Sequence, residues 1–221
     1  MRIIPLFPLN IVLFPGMVLP LRIFEPRYRL MIRRCLDGDK QFGIALIQEG
    51  DEVGAAATPF ATGTLAEISG FELMPDGQIM LVCVGLRRFR IERHVEGEPY
   101  AQAEVEILDE GDPEEDIDDA LIDSATTTLE AYLGALANVS NLSITVPKDG
   151  LSAIDLSYLM AATLQVDNAQ KQELLESPTV HDRLERVMVM LTRENEELQA
   201  YLAKSRTRGD FFYRGYRMSV N

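Results

Sequence analysis

The first 24 residues alternate short apolar runs with prolines. The run Ile3 to Phe7 is interrupted by Pro5 and followed by Pro8. A second run, Ile11 to Phe14, ends at Pro15-Gly16, a pair that favours a tight turn. This pattern predicts two short strands and a turn. The next run, Val18 to Phe24, contains Pro20, and because proline cannot donate to a central ladder, this strand should lie at an edge or a bulge, on a barrel rim.

A helix follows directly. Pro26 suits a first helical position, and Gly38 can end the helix. Between them apolar residues recur at i, i+3, i+4, i+7 and i+8, which predicts one apolar stripe. These residues are Tyr28, Met31, Ile32, Cys35 and Leu36.

The next part of the chain is β-patterned. Phe42 to Gln48 reads as a buried strand, and Phe60 to Glu72 and Gln78 to Val95 flank Pro75-Asp76-Gly77, a typical hairpin turn. Both faces of the strand that starts at Gln78 are apolar, so we expect it to be covered on both sides. Tyr100 to Leu108 alternates between apolar and polar residues. Together these runs predict a small closed or nearly closed β-barrel of about six strands with one early helix.

The pattern changes to helical after the acidic segment 109–119. Helices are predicted over Ile117 to Leu136, Ser152 to Leu164 and Ala169 to Leu175, followed by a long helix capped by Ser177, with Pro178 in its first turn, that runs to about residue 204. At about 1.5 Å per residue the long helix spans roughly 40 Å. Its far half, Arg193 to Gln199, is polar nearly all round, so we expect it to project into solvent or to meet another chain.

We therefore predict an α+β fold in three parts. Residues 1–110 form a β-barrel subdomain, residues 111–206 a helical subdomain that ends in the long helix, and residues 207–221 a basic aromatic tail. The tail could dock on the barrel, mediate self-association or bind a partner.

Several stretches, in this order, resemble the N-terminal substrate-recognition domain of Lon proteases. They include PLFPLNIVLFPGMVLPLRIFEPRY at the start, GLRRF in the second strand of the hairpin, and QKQELLESPTVHDRLERVMVML in the helical part. The resemblance extends over about residues 3 to 192. It implies a PUA-like β-barrel followed by a helical subdomain, and a free-standing, non-enzymatic protein that binds polypeptide segments or a protein partner.

Charge and composition limit the kinds of partner and cofactor that the chain is expected to bind. The formal net charge of −14 disfavours nucleic acid, and no apolar run is long enough to span a membrane, so we expect a soluble cytoplasmic protein. Cys35 and Cys83 are predicted to be buried thiols. His94 and His181 have no partners at zinc-ligand spacing, and the acidic segment 109–119 does not match a calcium loop, so we expect neither metal nor cofactor.

The sequence contains no complete catalytic motif. The phosphate-binding pattern GxxxxGK[ST] is absent. The stretch PKDGLSA around Ser152 resembles the surroundings of the Lon nucleophile, but Leu151 and Ile154 depart from that pattern, and Lys171 and Lys204 are predicted to lie on polar helix surfaces. We therefore interpret Ser152 as a helix N-cap with Asp155 three residues on.

The remaining candidates form a contact surface. Exposed apolar side chains at the barrel rim, together with arginines that select acidic flanks, could take up unfolded segments in shallow apolar grooves and at sheet edges. These residues are Phe14, Met17, Arg22, Phe24, Arg87 and Arg88. The alternatives are a small-molecule or RNA-binding barrel and, less well supported, a Ser-Lys peptidase. Self-association through the long helix or the tail is a further expectation.

Overall fold

A computed structural model describes residues 1–51, 57–110, 117–140 and 151–208, and contains seven strands and five helices within these ranges. The strands lie in the first half of the chain with one helix among them, and the other four helices follow. In chain order they are β1 (Arg2–Leu9), β2 (Val18–Ile23), α1 (Pro26–Asp37), β3 (Gln41–Glu49), β4 (Thr58–Pro59), β5 (Thr62–Leu73), β6 (Ile79–Val95), β7 (Gln102–Ile107), α2 (Asp119–Ser140), α3 (Ala153–Thr163), α4 (Asn168–Leu175) and α5 (Val180–Arg208). The predicted α+β fold is confirmed.

Five strands close into a barrel. Hydrogen-bonded neighbours run in the order β1, β7, β6, β5 and β3, and β3 returns to pair in parallel with β1. The first half of β1 pairs with β7 and the second half with β3, so Pro5 lies at the last position paired with β7. Outside the ring, the short strand β4 pairs antiparallel with the end of β3, and β2 pairs with β6.

The centre of the barrel is filled by side chains. A Cβ atom added to Gly43 would lie 2.8 Å from Ile4 and from Leu6, and 2.9 Å from Phe89. All three of these apolar residues have zero exposure. The barrel interior among the described residues is therefore a packed core rather than a cavity.

Helix α1 covers the inner face of the sheet formed by β2, β6 and the far half of β5. Its buried stripe packs with Ile79, Leu81 and Cys83, and Arg29 donates to the carbonyl oxygen of Gly77 at 3.1 Å. The predicted limits at Pro26 and Gly38 are confirmed. Burial raises the pKa of Cys83 to about 12, in agreement with the predicted buried thiol.

The predicted strand over Ile11 to Phe14 is wrong. These residues are irregular, and their side chains divide between two cores. Leu13 packs in the core beneath α1, whereas Val12 and Phe14 pack with the helices of the second half. The carbonyl oxygen of Leu13 accepts a 2.5 Å hydrogen bond from the buried Thr64 hydroxyl. The run is apolar because it bridges two cores, which strand periodicity cannot reveal.

The far half of α5 does not project into solvent as expected. Helix α2 packs along it, Leu198 is only 1% exposed, and the Tyr132 hydroxyl donates to Glu194 at 3.3 Å. With 22 residues, α2 is about 33 Å long, at about 1.5 Å per residue, and can cover this part of α5. This half of α5 therefore packs against a helix of the same chain, an arrangement that the sequence pattern did not indicate.

Local capping chemistry sets the helix starts. The Ser152 hydroxyl accepts from the amide of Asp155 at 3.1 Å, which confirms the predicted N-cap. The cap predicted at Ser177 is wrong, because α5 begins at Val180 and the Thr179 hydroxyl accepts from the amide of Asp182 at 3.0 Å. Ser177 is buried at the end of α4 instead.

Some predictions lie outside the described residues. These are the interior of the acidic segment at 111–116, the Pro147 to Gly150 stretch, and the tail from residue 209 onward. The division of the chain at residues 110 and 206 into subdomains stays a prediction.

Candidate functional site

The six predicted contact residues differ in their exposure to solvent. Phe14 has zero exposure and Arg88 is 4% exposed, so both are buried. Met17 is partly buried, and the other three lie at the surface. The exposed ones are Arg22, Phe24 and Arg87.

Arg88 holds the barrel to the helices. Its Nε and Nη2 atoms donate to the two carboxylate oxygens of Glu110, at 2.6 and 3.0 Å. Its Nη1 atom donates to the carbonyl oxygens of Leu175 and Ser177, at 2.8 and 2.7 Å. One guanidinium on β6 therefore binds both the segment after β7 and the end of α4.

A second arginine meets the same carboxylate. Arg183, on α5, has zero exposure and donates from Nη2 to Glu110 at 3.0 Å and from Nε to the Ser157 hydroxyl at 2.9 Å. Its guanidinium carbon lies 3.8 Å from the ring centre of Tyr158, whose hydroxyl donates to Glu110 at 2.5 Å. We call Arg88, Glu110, Ser157, Tyr158 and Arg183 the joint cluster.

The joint cluster fixes the ionisation of its carboxylate. Burial alone would raise the pKa of Glu110, but hydrogen bonds from Arg88 and Tyr158 and the positive charges of Arg88 and Arg183 outweigh burial and hold the pKa below its ordinary value. Burial raises the pKa of Tyr158, so its hydroxyl keeps the proton that it donates. The joint cluster is thus a charged, hydrogen-bonded contact that holds the two halves of the chain, the β-barrel and the helices that follow it, together.

Phe14 strengthens this joint from the apolar side. Its ring centre lies 6.3 Å from that of Tyr158, and it belongs to the core formed by α2 to α5. Gln172 on α4 adds a polar tie, because its amide donates to the carbonyl oxygen of Thr62 at 3.0 Å. In this structure Phe14 and Arg88 can contact a polypeptide only if the two halves separate.

The apolar surface that remains lies on the outside of β2 and β6. Val18 pairs with Val84, and Pro20 pairs with Val82. Met80 lies two residues before Val82 on β6, on the same face of the sheet. Side chains paired across antiparallel strands lie about 4.5–5.5 Å apart, so these five form one continuous patch. Val18 is 58% exposed, and Met80 and Val82 are each 38% exposed. We call Val18, Pro20, Met80, Val82 and Val84 the apolar face.

The apolar face corrects one expectation. Because both faces of β6 are apolar, the strand was expected to be covered on both sides. Its inner face is covered by α1, whereas no described element covers Met80 and Val82. An apolar sheet face that the described fold leaves open is a mark of a binding surface.

Charges border the apolar face on both sides. Arg22 pairs with Met80 on the β2 side, where its Nε atom donates to the Gln78 side chain at 2.7 Å. On the β5 side, Glu67 pairs with Val84 and Glu72 with Met80. The face is thus apolar along its centre, with a cation on one side and carboxylates on the other.

The edge of β2 is predicted correctly, and its hydrogen-bonding capacity is limited. Among the described residues β2 pairs only with β6. The Met17 carbonyl oxygen accepts from the Gly85 amide at 3.0 Å, so by the alternation of an antiparallel ladder the backbone groups of Val18, Pro20 and Arg22 face the open edge. Pro20 has no amide hydrogen, which interrupts this edge at its centre.

The remaining sequence candidates give no catalytic arrangement. The Ser152 hydroxyl donates to the Asp155 carboxylate at 2.7 Å, as a capping residue does. Lys171 is half-buried rather than on a polar surface, and burial lowers its pKa, but no hydrogen bond between described residues joins it to Ser152. In the described ranges no group of His, Cys, Asp and Glu side chains is suited to a metal ion, and no helix is long and apolar enough to cross a membrane.

Sequence reasoning missed the joint cluster. Arg183 lies on the apolar stripe of α5, between Val180 and Val187, at a position where a charge must be buried. A charged residue on a buried stripe indicates a partner elsewhere in the chain. That signal was present, but it could not identify Glu110, 73 residues away, as the partner.

A family profile and several curated proteins are similar to most of this chain. The profile of the family described as "ATP-dependent protease La (LON) substrate-binding domain" matches residues 3–193. Similar curated proteins include the Lon protease of Cytophaga hutchinsonii (27% identical over 206 residues), Lon protease 2 of Herpetosiphon aurantiacus (31% over 206) and the Lon protease of Escherichia coli K12 (28% over 206). Each alignment covers 89% of this chain and 24% or 25% of the relative, so the chain spans about a quarter of the length of these proteins.

Solved structures agree on the fold. A crystal structure of a Lon N-terminal domain protein from Xanthomonas campestris matches with a TM-score of 0.66 and 28% identity, over 86% of this chain and 98% of that one. The N-terminal domain of a Mycobacterium avium complex Lon protease matches with a TM-score of 0.62 over 86% of this chain and 98% of that one. At 21% identity, the second match supports the fold alone.

Proposed function

Because this chain belongs to the family of ATP-dependent protease La (LON) substrate-binding domains, we propose that it binds exposed apolar segments of other polypeptides on its apolar face and catalyses no reaction itself. The observation that carries this proposal is the open outer side of β2 and β6, where Val18, Met80 and Val82 remain exposed on two hydrogen-bonded strands. A bound unfolded segment would cover these side chains, and its own apolar side chains would also leave the water. The free energy gained is proportional to the apolar area that is covered.

Side-chain packing is the main mode of binding in this proposal. Strand addition to the edge of β2 would lose a hydrogen bond at Pro20, so a bound segment gains more by lying across the face than by extending the sheet. An apolar sheet face selects for apolar character rather than for a particular sequence. Modest affinity and broad specificity follow, because little of each bound side chain is enclosed.

Charge gives the bound segment a direction. Arg22 on the β2 side favours an acidic flank, whereas Glu67 and Glu72 on the β5 side favour a basic one. Arg87, exposed further along β6, adds a second cation beyond the apolar face. Phe24, 48% exposed directly after β2, extends the apolar contact past Arg22.

A charge placed at the centre of the apolar face should weaken polypeptide binding. In Val82→Glu, covering the face would bury a carboxylate without a partner, so we expect affinity for an unfolded polypeptide to fall at least about tenfold, or ~1.4 kcal/mol. Fluorescence anisotropy with labelled, reduced and carboxymethylated α-lactalbumin as the unfolded probe measures this change.

The matched control is Ile3→Glu. Ile3 is also an exposed apolar strand residue, at 52%, but it lies on β1. This variant should bind as the unmodified protein does. Equal affinity of Val82→Glu and the unmodified protein, or equal loss in both variants, would contradict the proposed site.

The alternative functions lack a comparable feature. A small-molecule site inside the barrel has no space, because Ile4, Leu6 and Phe89 fill it. RNA binding would have to overcome a net charge of −14. Neither the Ser152 capping geometry nor any described lysine supports a Ser-Lys peptidase.

A further inference from the structure

A second open apolar surface lies between α4 and α5, on the helical side of the molecule. It is a groove of about 440 Å³ whose apolar wall is formed by Leu174, Val189 and Met190. A smaller cavity of about 220 Å³ adjoins it, shares Gln170 and Met190 with it, and continues past Arg193 to Glu197. From Glu185 to Glu197 the combined α4–α5 groove is about 18 Å long, at about 1.5 Å of helix per residue.

The sequence of α5 predicts a cover over this groove, and none of the described residues provides one. Residues 187–191, Val-Met-Val-Met-Leu, are apolar on all sides of the helix, a pattern typical of a helix covered all round. Val187 and Leu191 have zero exposure in the core, whereas Val189, on another side of the helix, is 71% exposed. No other described element covers Val189, so an additional segment would complete its packing.

The rim of the α4–α5 groove is acidic. It carries four carboxylates against two guanidiniums, and Arg193 is already paired with Glu197 at 3.5 Å. The four carboxylates are Glu173, Glu185, Glu194 and Glu197. Burial, together with the nearby Glu197, raises the pKa of Glu194, so a cation placed beside it would be favoured. The occupant should therefore be apolar or aromatic and carry positive charge.

We propose that residues 209–221 of the same chain occupy this groove. The segment reads GDFFYRGYRMSVN, four aromatic residues with Arg214 and Arg217 among them, which matches both the apolar wall and the acidic rim. It follows α5 directly, so it is present at high effective concentration. This contact would shield an apolar helix face, and it is independent of polypeptide binding on the barrel.

Chain length permits the contact and sets its register. Helix α5 ends at Arg208, so Met190 lies 18 residues, or about 27 Å, back along the helix. An extended chain advances about 3.3 Å per residue, so a segment that turns back directly after Arg208 brings Tyr216, eight residues on, about 26 Å back. Tyr216 therefore reaches the level of Met190, and Arg214 reaches the level of Glu194.

The chain contains no tryptophan, so Tyr216→Trp introduces a single fluorescent reporter. We expect emission shifted to shorter wavelength and strong protection from acrylamide quenching, neither of which changes with protein concentration. Adding Val189→Asp should place a carboxylate on the groove wall and return the emission and the quenching to those of an exposed tryptophan. The matched control adds Ala131→Asp, at an exposed position of α2 outside the groove, and should leave the reporter protected.

Three results would overturn the proposal. The first is an exposed tryptophan in Tyr216→Trp itself. The second is protection that appears only as the concentration rises, which would show that the segment docks on a second copy. The third is protection that survives Val189→Asp, which would place the segment elsewhere on the molecule. Circular dichroism of each variant verifies that α5 remains folded.

Discussion

Replacing Glu110 by alanine is expected to lower the free energy of unfolding by about 3–5 kcal/mol, the usual cost of removing one partner from a buried ion pair. The cost is high because Glu110 is the carboxylate to which both Arg88 and Arg183 donate, and these side chains are 4% and 0% exposed. Without it, two buried positive charges lie close together without compensation. Urea unfolding followed by circular dichroism measures the change.

The matched control is Glu106→Ala. Glu106 is also paired with an arginine of β6, Arg90, but the two side chains are each 54% exposed and 3.8 Å apart. Exposed pairs of this kind contribute about 0–1 kcal/mol. A loss at Glu110 no larger than the loss at Glu106 would contradict the view that the joint cluster locks the two halves of the chain together.

The Glu110 carboxylate also makes the free energy of unfolding depend on pH. The pKa of Glu110 is lowered in the folded state, so its contribution is complete above the pKa of about 4.3 that glutamate has in an unfolded chain. It is lost as the pH falls through the lower pKa of the folded state. The stability difference between the unmodified protein and Glu110→Ala should therefore shrink below about pH 4.

Phe14→Ala should be the second most damaging change, with an expected loss of about 3–5 kcal/mol in the free energy of unfolding. Phe14 has zero exposure, packs 6.3 Å from the ring centre of Tyr158, and lies in the irregular segment that bridges the two cores. Truncation would leave a cavity between the barrel and the helices. Urea unfolding of the variant measures the loss.

The matched control is Phe24→Ala, which removes a phenylalanine side chain from a surface position. Phe24 is 48% exposed, so its truncation should change the free energy of unfolding by much less, within about 1 kcal/mol. In contrast, it should weaken polypeptide binding, which Phe14→Ala should affect only through folding. Similar stability losses in the two variants would refute the assignment of Phe14 to the core.

Elements whose limits depend on local chemistry could be predicted from the sequence. Pro26 and Gly38 bound α1, Ser152 caps α3, and the Pro75-Asp76-Gly77 turn closes with Gly77 at a φ of +79°. In each case the deciding interaction is between residues at most four apart. Pattern alone could therefore identify these elements.

Features that depend on distant residues could not be predicted in this way. Val12, Leu13 and Phe14 form one apolar run, yet they pack into two cores, a division that only the tertiary fold determines. The coverage of Leu198 depends on the direction of α2. The apolar face was hidden for a similar reason: alternation showed that both sides of β6 are apolar, but only the structure shows which side α1 covers.

The position of bound polypeptide can be observed directly, because methionine methyl groups lie both on the apolar face and in the buried cores. With methionine methyl groups labelled with ¹³C, reduced and carboxymethylated α-lactalbumin should shift or broaden the resonance of Met80, which is 38% exposed on the apolar face. The resonances of Met31 and Met160, both with zero exposure, should not change. Binding that leaves Met80 unperturbed would contradict the account, whereas a selective effect at Met80 is the result that it predicts.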